Sequence, residues 1–215
     1  MKIIIFLFSL LLINCATPYY TYRTVDPPAH ILHPKIIPVW IDQDFGAAQI
    51  EQIKAAVAEW NFVLNGQIII SIQMVKKMGT DKMMHWYPDT FDAERSKILA
   101  AQIDQTGLGW LILDVPSNML NSKIGSNVLA YVPGEDAHYV VVVGDRLGGR
   151  NLKDILMHEF AHLFGALHVN TMSLEYPSYS LSQPNCVDKI TAAQVAHAQG
   201  LELNTLNYCP IPNFE

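Results

Sequence analysis

The sequence predicts a single mixed α/β (α+β) domain: a twisted sheet of about five strands, a long backing helix, a second helix late in the chain and a short C-terminal helix. Three observations lead there. Of 215 residues, 50% are hydrophobic and 16% charged, enough apolar material for one core and too few charges for a disordered chain. Strand-like runs come mainly early, and two of the three helical patterns come late. No internal repeat or low-complexity stretch divides the chain. The formal net charge is −6 with no basic run, so binding to a nucleic-acid backbone is excluded. After the first fifteen residues no stretch approaches the roughly 18 apolar residues that span a bilayer, which excludes a polytopic membrane protein.

The first fourteen residues read as an export signal. Met1 and Lys2 precede Ile3 to Ile13, where Ser9 alone is polar, a charged start and an apolar core within the usual length of about 7 to 15. Leu12-Ile13-Asn14-Cys15 resembles the lipobox of bacterial lipoproteins, which implies lipidation of Cys15, a membrane anchor, and a place in the cell envelope at the outer membrane or cell surface. Plain secretion is the alternative. Residues 15–34, rich in Pro and Tyr, read as a tether, and residues 35–215 as the folded domain. Once Cys15 is set aside, Cys186 and Cys209 remain as one pair. An exported chain favours a disulfide between them over two buried thiols.

Ile36 to Ile41, with Pro38 inside, reads as a first strand near a sheet edge. Ile50, Ile53, Val57, Trp60 and Leu64 recur at helical steps and Asn65-Gly66 follow as a stop. Ile68 to Val75 then reads as a buried strand, parallel to the first across the helix. Lys76 to Gly109 gives no clear assignment, and its His85, Trp86, Tyr87, Asp89 and Asp92 read as a surface loop. Trp110 to Val115, Val128 to Val132 and His138 to Val143 are further strands, the last two joined by turn residues Pro133 to Asp136. After a loop at Gly144 to Gly149, Asn151 caps a helix that carries Asp154 in its first turn and runs through Ile155 to Phe164. Thr191-Ala-Ala-Gln194 reads as a capping box opening a last helix to Gln199, closed by Gly200.

The chemistry concentrates in His158-Glu159-Phe160-Ala161-His162-Leu163-Phe164-Gly165-Ala166-Leu167-His168. Residues four apart share a helix face, so His158 and His162 can hold one metal ion. Glu159 can address a water on that ion. Gly165 can adopt a positive φ, stop the helix and bring His168 round as a third imidazole. Three neutral ligands with a fourth position open form the catalytic arrangement for zinc. With 8 His and 12 Gly in the chain, random placement gives HExxH in about one such chain in a hundred and the full HExxHxxGxxH in about two in 100,000.

At these residues the sequence resembles the metzincin zinc peptidases, whose signature is this long motif followed by a Met-containing turn. The order of the remaining elements from Ile36 to Gly200 is similar to the matrixin branch. The resemblance implies a zinc-dependent endopeptidase with one catalytic Zn2+ on His158, His162 and His168, Glu159 as general base, and protein or peptide substrates. It implies a peptide laid along an edge strand, here Val128, Leu129, Ala130 and Tyr131. Met172 is the expected turn methionine, although Ser173-Leu174-Glu175-Tyr176-Pro177 is similar to the matrixin turn with Glu175 where Met would stand. Tyr131 replaces one ligand of the second, structural zinc of matrixins and His138 alone matches, so no second zinc is expected. Isolated acids such as Asp145 do not argue for calcium, which stays open. A monomer is expected. The alternative is a noncatalytic, zinc-stabilised binding lipoprotein on the same scaffold, in which Glu159 would have no task.

Overall fold

The computed structural model describes residues 21–76, 109–120, 124–133, 137–179 and 184–210. The export signal, Cys15, the first part of the tether, most of the unassigned stretch after Lys76 and part of the turn at Pro133 to Asp136 lie outside these residues. Among the described residues no helix is long and apolar enough to cross a membrane.

Strand β1 (Lys35–Asp42) leads into helix α1 (Ala47–Leu64) and strand β2 (Ile68–Lys76), followed by β3 (Trp110–Asp114), β4 (Ala130–Tyr131) and β5 (Tyr139–Val142). Helices α2 (Leu152–Leu163) and α3 (Lys189–Gln199) complete the chain. The five strands form one mixed sheet in the order β2-β1-β3-β5-β4. All neighbours are parallel except β4, which runs antiparallel to β5 at the edge. The expected parallel pairing of the strands around α1 is present. β1 is not an edge strand, contrary to the reading of Pro38. Pairing with β3 starts only at Val39, so Pro38 lies on a stretch of β1 that pairs on one side, where a missing N–H is tolerated.

Alternation along the strands divides the sheet into two apolar faces. Ile37, Val39, Ile41, Ile112, Val140 and Val142 face the main core with α1 and α2. Leu111, Leu113 and Val141 form a second cluster with Trp40 and Tyr139 packed against it. Between the helices and the first face sit the fully buried Trp60, Phe160 and Phe164. Trp60 donates its indole N–H to the Met157 carbonyl at 3.1 Å, and its ring lies 5.0 Å from that of Phe164. That indole bond satisfies the buried Trp60 N–H and fixes α1 against the helix that carries the motif.

The helix ends are set locally. Asn65 turns left-handed at φ 50° after α1, and Asn151 accepts from the Lys153 N–H at 3.1 Å at the start of α2, both as expected from sequence. The cap of α3 differs. Asp188, not Thr191, is the N-cap: its Oδ1 accepts from the Ile190 and Thr191 N–H groups at 2.8 and 3.2 Å, while Gln194 points elsewhere. A carboxylate satisfies two orphan amides at once and suits the positive end of the helix dipole, which a hydroxyl cannot match.

The tether is packed from residue 21 onward. Arg23 pairs antiparallel with Tyr208, Val25 donates to Asn207 Oδ1 at 2.8 Å, and the Tyr22 hydroxyl donates to Glu59, which also pairs with Lys153. Cys186 and Cys209 are joined as a disulfide with Cα atoms 6.3 Å apart.

Candidate metal centre

Helix α2 brings His158 and His162 onto one face, one turn apart, and ends beside Gly165, whose φ is 91°. A Cβ at Gly165 would stand 2.7 Å from that of Ala198 in α3, so glycine is required both for backbone conformation and for close packing. The Leu167 N–H donates to Gln194 Oε1 at 2.6 Å, and this pins the turn that swings His168 back over the helix.

The three Nε2 atoms lie 3.1, 3.1 and 3.2 Å from one another. Two tautomers follow from their partners. His158 donates its Nδ1–H to the Leu174 carbonyl and His162 donates its own to the Ala166 carbonyl, each at 2.8 Å. Their Nε2 lone pairs therefore point at each other and at His168, an arrangement relieved by a shared cation. Nitrogens about 2.0 to 2.1 Å from one tetrahedral zinc stand roughly 3.3 to 3.4 Å apart, so the residues present fit zinc closely. Burial, then the neighbouring imidazoles, pushes His158 down to about 4. Burial likewise lowers His162 and His168. All three rings are thus neutral ligands at neutral pH. They are the metal-capable group among the described residues, whereas His138 binds the Gly109 carbonyl at 3.2 Å.

Glu159 follows His158 on α2 and is 5% exposed. Burial pushes its carboxyl up to about 8, opposed by the Val132 N–H, which bonds it from the end of β4. Its Oε2 has no hydrogen-bond partner. A groove of about 1040 Å³ opens beside it, lined by Val128 to Val132, His158, Glu159, His162 and His168 and by Tyr176 and Tyr179. The Leu129 carbonyl accepts from Val143 of the β5 side at 2.8 Å. Alternation along an antiparallel strand then turns the N–H and C=O of Ala130 away from β5. The edge strand expected from sequence, the three histidines and Glu159 thus share one groove.

Met172, the expected turn methionine, is half-buried, and Glu175 lies against two of the imidazoles. Its Oε1 lies 3.6 Å from His158 Nδ1 and its Oε2 3.2 Å from His162 Nδ1, with the side chain fully buried. Burial, followed by the charges of Glu159 and Asp188, pushes its carboxyl up to about 9. Asp188 sets this register. Its Oδ2 accepts from Ser173 Oγ at 2.8 Å and from the Leu174 N–H at 2.7 Å, fixing the segment that brings Glu175 to the histidines. The sequence reading missed Asp188, the N-cap of α3, and placed Gln194 in a capping box, whereas it holds the Leu167 N–H.

No family model matches the chain, and no curated protein sequence matches it. Among solved structures it is similar to metalloproteinase-II from Bacteroides fragilis at 16% identity and TM-score 0.49, over 81% of this chain and 56% of that one. It is also similar to archaemetzincin from Methanopyrus kandleri at 15% identity and TM-score 0.49, over 78% of this chain and 96% of that one. The chain spans 56% of the length of the Bacteroides fragilis structure. What the site can do is carried by its own atoms.

Proposed function

We propose that this protein is an exported zinc-dependent endopeptidase, anchored by lipid on Cys15. The observation that carries the reading is the convergence of three imidazole Nε2 atoms within 3.1 to 3.2 Å beside a buried carboxylate with a free oxygen. His158, His162 and His168 would hold the ion. Bound there, zinc supplies a Lewis acid for a scissile carbonyl and lowers the pKa of a coordinated water toward about 7.

The chain's own residues account for the rest. The Val132 N–H holds the Glu159 carboxylate in place, and Oε2 is left to accept a proton from water and return it to the leaving amine. A carboxyl held well above its usual range suits both transfers near neutral pH. Ala130 offers its edge N–H and C=O to an extended peptide, which would add to the sheet beside β4. Phe160 of α2 and Phe164 at its C-cap, both fully buried, pack the motif helix into the core. A noncatalytic scaffold would leave Glu159 buried at a cost with no compensating role.

Incubation of the purified mature chain with a peptide library tests this. Cleavage should occur, stop on chelation, return with zinc, and fail for peptides N-methylated along the cleaved stretch. A zinc-loaded protein that cleaves nothing in the library would leave the scaffold reading in its place.

A further inference from the structure

We propose that Glu175 is a positioning residue for the metal: one buried carboxylate that spans the Nδ1 atoms of His158 and His162 and raises the affinity of the three-histidine site for a divalent cation. This rests on the metal-binding part of the proposed function. It assigns a role to a residue that neither ligates nor reaches substrate, since Glu175 is fully buried and lies outside the groove lining.

Each carboxylate oxygen is aimed at a different ligand, Oε1 at His158 and Oε2 at His162, at 3.6 and 3.2 Å. The ring N–H groups already donate to the Leu174 and Ala166 carbonyls, and neither carboxylate oxygen has a hydrogen-bond partner of its own. The carboxylate is therefore a shared electrostatic neighbour of both rings. A side chain in this place with no task beyond filling space would be apolar, because an unsatisfied buried acid costs stability.

The surroundings hold it there despite that cost. The Val169 N–H donates to the Glu175 carbonyl at 3.0 Å, and the Glu175 N–H donates to Ser173 Oγ at 3.3 Å. Ser173 is in turn bound to Asp188. Three neutral imidazoles leave the full 2+ charge of a zinc ion uncompensated, and Glu159 and Glu175, two buried acids at the site, would offset it on ionising. A carboxylate behind a ligating imidazole also strengthens it as a donor, and loss of such a group typically lowers metal affinity 10 to 100-fold.

Zinc dissociation constants, measured by competition with a chromophoric chelator on the mature chain, test the proposal in wild type, Glu175→Gln and Glu175→Met. Both variants should bind zinc at least tenfold more weakly, while their metal-free forms unfold at the same temperature as wild type or higher. A loss smaller than tenfold in either variant would overturn the proposal. So would unfolding of both metal-free variants, because the carboxylate would then be holding the fold and not the metal. A wild type that takes up no zinc would remove the metal site itself and the proposed function with it, an outcome distinct from zinc-binding variants equal to wild type.

Discussion

Glu159 and Glu175 put two buried acids within one small region, and in the metal-free protein their titration has a defined sign. Their folded pKa values, about 8 and about 9, lie above the ordinary carboxyl value. Ionisation is thus easier in the unfolded chain, and each acid costs stability increasingly as pH rises from its unfolded toward its folded value. The histidines act oppositely. His158 is lowered to about 4, so it costs stability as pH falls below its ordinary value of about 6.5. Of these groups, only Glu159 and Glu175 act above about pH 6.5. The metal-free protein should therefore lose thermal stability steadily from pH 6.5 to 9, and zinc should flatten that decline. A melting temperature that is flat or rising over this range without metal would contradict the burial of both acids. The motif residues were legible because they fall within eleven consecutive positions with helical spacing. Glu175 was not placed under the rings from sequence, because its position depends on a hydrogen bond that the neighbouring Leu174 N–H donates to Asp188, the N-cap of the next helix.

At the scale of elements, the turn after α2 decides whether His168 can join the other two rings. Gly165 combines a φ of 91° with a Cβ position 2.7 Å from Ala198. Gly165→Ala should destabilise the protein by at least about 1 to 3 kcal/mol, the usual cost of such a backbone conformation for a residue with a side chain, and the clash with α3 adds to it. Gly149→Ala is the control, because its φ is 83° but nothing lies within 4 Å of its Cβ. Urea unfolding should show the larger loss at Gly165, and equal losses would mean that the close approach of α3 carries no weight. Helix α1 could be read from its periodic apolar face and its Asn65-Gly66 stop. The start of α3 could not, because Asp188 and Thr191 are both good cap residues. The choice falls to Asp188, which also serves Ser173 and Leu174.

For the whole molecule, the parallel β1-α1-β2 unit and the mixed five-stranded sheet followed from the order of apolar runs. The docking of residues 21–26 did not. That segment has no periodicity, and its attachment depends on partners such as Asn207 and Tyr208 at the opposite end of the chain. The disulfide ties the same region, closing a loop of 23 residues that contributes on the order of 3 kcal/mol in the chain-entropy model. The anchored N-terminal segment bears on the proposed lipid attachment, since residues before 21 would link the packed body to the membrane. Cys15→Ala should release the protein into the medium with its fold and zinc content intact. A wild type already free in the medium with an unmodified N-terminus would leave export without anchoring.

Catalysis by a metal-bound water with Glu159 as its base is the central claim, and Glu159→Gln tests it most directly. The substitution keeps size and shape, touches no proposed ligand, and removes the carboxylate that accepts the proton. General-base contributions are typically about 100 to 10,000-fold. Peptide cleavage by Glu159→Gln should therefore fall at least about 100-fold while zinc per chain, measured on the same sample, stays at one. Cleavage within about threefold of wild type at full zinc occupancy would contradict the account and require another residue of the groove to take the proton.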